Sequence, residues 1–178
     1  MDMEELVAME LVDVRIDQST NNPVVILRAA SDALRLAERP TVLPIFIGNI
    51  EAQAIRIGLE KRATPRPMTH DLLASLISAA GAEVDAIVVT ETKDNIFYAE
   101  IRMTVSSQGG SETRVVSARP SDAIALAVRI SAPLFVRADL LTEQGLVEPA
   151  TAEDGDPDEI VDQFRQFLDD INPDDFNG

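Results

Sequence analysis

LPIFIGNIEAQAI (Leu43–Ile55), RPMTHDLL (Arg66–Leu73) and RPSDAIALAVR (Arg119–Arg129) follow one another within the stretch from Leu43 to Val136, each leading a strand or loop into a helix start. In the first, Thr41 to Ile47 reads as a short apolar strand. Gly48 and Asn49 break it and can cap a helix running from Ile50 to about Leu59. In the second, the Pro- and charge-rich loop KRATPRP delivers the chain to Thr69, a good N-cap. Leu72, Leu73, Leu76, Ile77 and Ala80 then recur at helical spacing, and Gly81 stands where a terminating glycine belongs. In the third, Arg119 and Pro120 end a strand, and Ser121 to Ile130 predicts a helix that is apolar almost all round and must be buried. Polar residues cluster at these three helix starts, so a site is expected there.

Outward from that stretch, Leu11 to Asp17 alternates, with Val12, Val14 and Ile16 on one face and Asp13, Arg15 and Asp17 on the other. Asn21, Asn22 and Pro23 turn it into Val24 to Leu27 as a hairpin. Val84 to Thr92, Ile96 to Val105 and Thr113 to Ala118 read as three strands joined by turns at Lys93-Asp94-Asn95 and Gln108-Gly109-Gly110. In the middle strand Phe97, Ala99, Ile101, Met103 and Val105 share one face. Pro133 opens a final strand, Leu134 to Arg137, before a short helical or turn segment from Asp139 to Gly145. The class is α+β: a mixed, largely antiparallel sheet with packed helices in one compact domain. LPIFIGNIEAQAI and TRVVSARPSDAIAL (Thr113–Leu126) look like copies of one strand-break-helix unit, and a true duplication would put Glu51 and Asp122 at equivalent helix starts.

A chain of 178 residues fits one full domain, and an aromatic content of 4% leaves Val, Ile, Leu and Ala to build the core. The absence of cysteine excludes disulfides, thiolate zinc sites and cysteine nucleophiles. The acidic N-terminus lacks the basic region and apolar run of a signal peptide, and no apolar run approaches the roughly 18 residues that span a bilayer. A cytoplasmic protein that does not enter membranes is expected. The domain occupies residues 1–147, residues 148–155 read as a linker, and residues 156–178 form an acidic amphipathic helical tail. Ile160, Val161, Phe164, Phe167, Leu168 and Ile171 fall on one stripe of that tail, which calls for packing on its own body or on a protein partner. The tail and linker hold eleven acidic residues and one Arg, so −10 of the net −16 lies there and −6 in the rest. That balance opposes nucleic-acid binding less than the total suggests, and Arg56, Lys61, Arg62 and Arg66 form a local basic run.

The three motifs together resemble the bifunctional nuclease family over about Met9 to Val147, through Gly48, Glu51, Ala52, Ile55, Pro67, Thr69, His70, Asp71, Leu72, Arg119, Pro120, Ser121, Asp122, Ala123 and Ala127. The resemblance implies a compact α+β domain in a homo-oligomer, with nuclease activity on RNA and DNA in some relatives. It transfers no established catalytic residue.

With a single histidine and no cysteine, phosphodiester hydrolysis here points to carboxylate-bound Mg²⁺ or Mn²⁺. The candidate ligands and catalytic groups are Glu51, Asp71 and Asp122, with His70 as base or ligand. Arg119, Ser121 and Arg66 are the candidates for holding the nucleic-acid phosphate, since a helix start is already an anion site. Helix capping alone would also account for all three carboxylates, because acidic residues offset the positive end of the helix dipole. Arg119, Asp122 and Arg129 could equally form one buried ion-pair network, the reading that so apolar a helix favours. Two other functions fit the same sequence: a noncatalytic regulatory or interaction module working through the C-terminal helix, and a protein that binds a small anion at these helix starts.

Overall fold

The computed structural model describes residues 5–18, 20–30, 40–107 and 109–147. The expected linker and acidic tail, and Gln108 of the expected turn, lie outside the described residues. Eight strands form one sheet: β1 (Leu6–Ile16), β2 (Pro23–Ala29), β3 (Thr41–Phe46), β4 (Ala82–Lys93), β5 (Ile96–Ser107), β6 (Gly110–Ala118), β7 (Leu134–Arg137) and β8 (Leu146–Val147). Their spatial order is β6-β5-β4-β7-β1-β2-β3-β8. β4 and β7 pair in parallel, and the other ladders are antiparallel. Four helices complete the described chain: α1 (Asn49–Leu59), α2 (Thr69–Ala79), α3 (Pro120–Ile130) and α4 (Ala138–Gln144). The domain is α+β, as the alternation of patterns predicts.

The hairpin turns follow from residues that tolerate positive φ. Asn21 has φ 58° between β1 and β2, and Asp94 and Asn95 have φ 50° and 61° between β4 and β5. Two consecutive left-handed residues give the turn whose twist matches the flanking strands. β5 shows the expected alternation, with Phe97, Ala99 and Ile101 buried. β1 begins five residues earlier than the alternation from Leu11 indicates. Its register shifts between Leu11 and Asp13, which breaks the period-two pattern at that point. β8 was not expected at all, since two residues are too few to show a period, yet they pair with Thr41 and Val42.

α3 is the central helix. Ile124 and Ala125 enter a core with Val25, Leu27, Leu43 and Ile45 of the sheet and Ala52 and Ile55 of α1. Ala123, Leu126 and Ala127 enter a second core with Ile87, Ala99 and Ile101, against which Leu73, Ala74 and Ile77 of α2 pack. Ala123 to Ala127 are each at most 2% exposed, so the expected burial of this helix holds. Its small side chains let α1 and α2 approach closely from either side. Gly58 of α1 is part of that fit, because a Cβ there would stand 2.5 Å from Val128 Cγ2 and 2.9 Å from Arg129 Nη1.

α2 departs from expectation in two ways. Its N-cap is Met68, not Thr69, and Thr69 is already helical. Leu72 and Leu76, 53% and 58% exposed, lie outside the contact that Leu73, Ala74 and Ile77 make. The apolar stripe is wider than the surface available to cover it.

Candidate active site

Glu51, Asp71 and Asp122 each occupy the third position of a helix, after Asn49-Ile50, Thr69-His70 and Pro120-Ser121 respectively. A carboxylate there offsets the positive end of the dipole and can turn back to the chain entering the helix. Asp71 does so, accepting the Met68 amide at 2.8 Å through Oδ2. Glu51 and Asp122 turn outward to a shared cation.

That cation is Arg119, the residue immediately before α3. Its Nε and Nη2 donate to Oδ2 and Oδ1 of Asp122 at 2.7 and 3.1 Å, a bidentate pair, and its Nη1 donates to Glu51 Oε1 at 3.0 Å. The strand-break-helix units at β3–α1 and β6–α3 thus present equivalent carboxylates to one guanidinium. His70, 14% exposed, completes the group, with Nε2 3.4 Å from Asp122 Oδ1. Gly48 is needed for this arrangement: a Cβ at Gly48 would overlap Glu51 Oε2, so the carboxylate folds back over bare backbone.

The electrostatics follow the contacts. The bidentate Arg119 bond holds the Asp122 carboxyl below its ordinary value of 3.8 against the opposing effect of burial, with His70 adding in the same direction. Asp122 in turn raises the pKa of Arg119, with Glu51 contributing less. Arg119 remains 64% exposed. Three of its five N–H groups are engaged by carboxylates, which leaves two for a ligand.

Asp71 belongs to a second network. Its Oδ1 accepts from Nε of Arg129, whose side chain is 8% exposed, and Arg129 Nη1 also donates to the carbonyls of Ala54 and Ala125 at 3.1 and 2.7 Å. Arg129 thereby ties α1, α2 and the end of α3 together. The Met68 amide first, and Arg129 second, hold the Asp71 carboxyl below its ordinary value. The single buried network expected of Arg119, Asp122 and Arg129 is therefore corrected to two, one exposed around Arg119 and one buried around Arg129. Spacing along α3 placed both arginines near Asp122, but the partner of Arg129 comes from a different helix.

The three candidate metal ligands do not come together as a set, and among the described residues no group of three His, Asp or Glu side chains could hold a metal ion. Both Asp71 oxygens are committed elsewhere. Glu51 and Asp122 do converge, and the cation that stands between them is the guanidinium of Arg119. Arg66 is exposed in the loop before α2 and lines no part of the cleft described next.

Beside the Arg119 group lies an open cleft of about 390 Å³. Ile45, Phe46 and Ile47 at the end of β3 face Asn95, Ile96 and Phe97 of the β4–β5 hairpin across it, and Glu51, Arg119 and Ser121 close one end. Sequence reading missed the hairpin's share, because Asn95 stands 44 residues from Glu51 and 24 from Arg119 and the turn carries no motif of its own. Ser121, at that end, is only 6% exposed.

Comparison with known proteins agrees with this arrangement of motifs. A family model described as the bifunctional nuclease domain matches residues 33–149. An uncharacterised protein of Mycobacterium tuberculosis, found in two strains, is 33% identical over 172 residues, covering 94% of this chain and 96% of its own. Bifunctional nuclease 2 of Oryza sativa subsp. japonica is 26% identical over 137 residues, which is 76% of this chain and 40% of that protein. The matched domain spans α1, α2 and α3 with the helix starts that carry Glu51, His70 and Asp122, and on this ground the chain belongs to the bifunctional nuclease domain family.

Proposed function

We propose that this protein is a nuclease that hydrolyses phosphodiester bonds in RNA or DNA at the Arg119 group. The observation that carries the reading is the convergence of Glu51, His70, Arg119 and Asp122 from three helix starts, beside a cleft that Glu51 and Arg119 line. Arg119, through its two remaining N–H groups, and Ser121, through its hydroxyl and the leading amide of α3, supply donors for a phosphate. In the tautomer protonated at Nε2, His70 donates to Asp122 and keeps Nδ1 as the proton acceptor for an attacking water. The water oxygen bonds to phosphorus as the bond to the leaving oxygen breaks, and that oxygen takes its proton from solvent. Glu51 fixes Arg119, and Asp71 fixes the helix that carries His70.

The carboxylates outnumber the cations around the phosphate position, which favours recruitment of a divalent cation. Glu51, through the oxygen that does not accept from Arg119, and Asp122 would hold Mg²⁺ or Mn²⁺ beside the guanidinium. Bound there, the cation supplies charge neutralisation on the phosphate and a more acidic water.

The test is cleavage of labelled single-stranded RNA and DNA by the purified chain with Mg²⁺ or Mn²⁺, beside a chelator control and an identically purified Asp122→Asn variant. Cleavage should fall by at least two orders of magnitude in the variant. The variant's stability should change by less than about 1 kcal/mol, because the bond it weakens is to an exposed guanidinium. Equal cleavage by both proteins would locate the activity elsewhere and overturn the assignment.

A further inference from the structure

We infer that the cleft beside Arg119 is a nucleobase pocket, which receives the base next to the reacting phosphate and makes single strands the preferred substrate. This deepens the nuclease reading and rests on it for the position of the phosphate. Two independent features point to a ligand. Ser121, 6% exposed, lines the cleft and brings a hydroxyl to the end where Arg119 stands. Ile96, at the rim, is 47% exposed although it faces the apolar wall formed by Ile45 and Ile47.

The two ends of the cleft ask for different chemistry. The end at Arg119 and Ser121 offers cationic and neutral donors, which suit an anionic group. The body between β3 and the hairpin is aliphatic with Phe46 and Phe97, which suits a flat, weakly polar group. A volume of about 390 Å³ lies at the lower end of ordinary ligand sites and holds one nucleotide. A sugar phosphate would leave the walls wet, and inorganic phosphate would leave the whole body empty. Asn95, held at φ 61° by the hairpin turn, brings an amide donor and acceptor to the edge of such a base. A base can enter only when it is unstacked, and this gives the preference for single strands.

Calorimetric titration of the full chain with a nucleoside 5′-monophosphate and with ribose 5-phosphate tests the pocket without relying on turnover. The nucleotide should bind at least ten-fold more tightly than the sugar phosphate. Ile96→Gln, a neutral change at a half-exposed rim position, should remove most of that preference and leave sugar phosphate binding and the melting temperature unchanged. Asn95→Ala should alter the ranking among the four bases. Equal binding of the two ligands, binding of neither, or a preference that survives Ile96→Gln would each overturn the pocket. Cleavage of single strands by a protein showing no base preference would sink the pocket and leave the nuclease reading standing. Nucleotide binding that Ile96→Gln abolishes, in a protein that cleaves nothing, would sustain the pocket and sink the nuclease reading.

Discussion

Gly48 and Glu51 show how a single missing side chain can serve a site and leave the fold untouched. The obstacle to a Cβ at Gly48 is the far end of the Glu51 side chain, which can swing away at little cost. Gly48 has φ −74°, so Ala suits the backbone as well. Gly48→Ala is therefore expected to leave the urea midpoint within about 0.5 kcal/mol of wild type while it separates Glu51 from Arg119 and lowers cleavage. A large loss of stability would contradict the packing described. Asp71 behaves in the opposite way. Asp71→Asn retains an acceptor for the Met68 amide but removes the charge that faces Arg129, so it should cost about 1.5–3 kcal/mol, the range for hydrogen bonds to charged groups. The folded-state pKa of Asp71 is depressed, so its contribution is present above its ordinary value of 3.8 and lost as the pH falls through the lower folded value. Urea midpoints measured from neutral pH down through that range should fall less steeply for Asp71→Asn than for wild type. At this scale the sequence identified the polar groups and the Arg119–Asp122 pair, but not the partners that come from other helices. Asp122 and His70 stand 52 residues apart and Asp71 and Arg129 stand 58 apart, and helical spacing carries no information across such separations.

Helix α3 was readable because an apolar surface around almost all of its circumference leaves little alternative to burial between neighbours. β5 was readable for the complementary reason, since alternation survives wherever one face of a sheet is covered. β1 and β8 were misread or missed where a register shift and a length of two residues erased the period. α2 was legible as a helix but not in its exposure, because periodicity reports which side chains share a face and not how wide the neighbouring surface is. The α1–α3 contact gives a prediction that composition alone would get backwards. Gly58→Ala improves helix propensity by about 1 kcal/mol, yet the added methyl meets Val128 and the guanidinium of Arg129. Overpacking of about 1–3 kcal/mol should prevail, and the urea midpoint should drop. A rise in the midpoint would mean that the two helices separate easily, and with them the Arg129 network that spans both.

For the whole molecule, the problem is how a chain of net charge −16 approaches a polyanion. Residues 148–178 contribute −10 of that charge, and the cut before them spares every described strand, since β8 ends at Val147. The remaining −6 is spread over a body in which cations are largely paired: Arg62 with Glu60, Arg102 with Glu100, Arg114 with Glu112. Repulsion from residues 148–178 is thus the largest separable electrostatic barrier to nucleic-acid binding. Such repulsion acts over a screening length of about 10 Å at 0.1 M salt and shortens as salt rises. A chain ending at Val147 is therefore expected to bind single-stranded RNA or DNA several-fold more tightly than the full chain at 20 mM salt, by fluorescence anisotropy with a labelled oligonucleotide. The gap should close towards 0.5 M salt, where both proteins retain only the short-range contacts of the cleft. A gap that persists at high salt would show that residues 148–178 obstruct the site by contact, and no gap at low salt would show that their charge is neutralised before nucleic acid arrives.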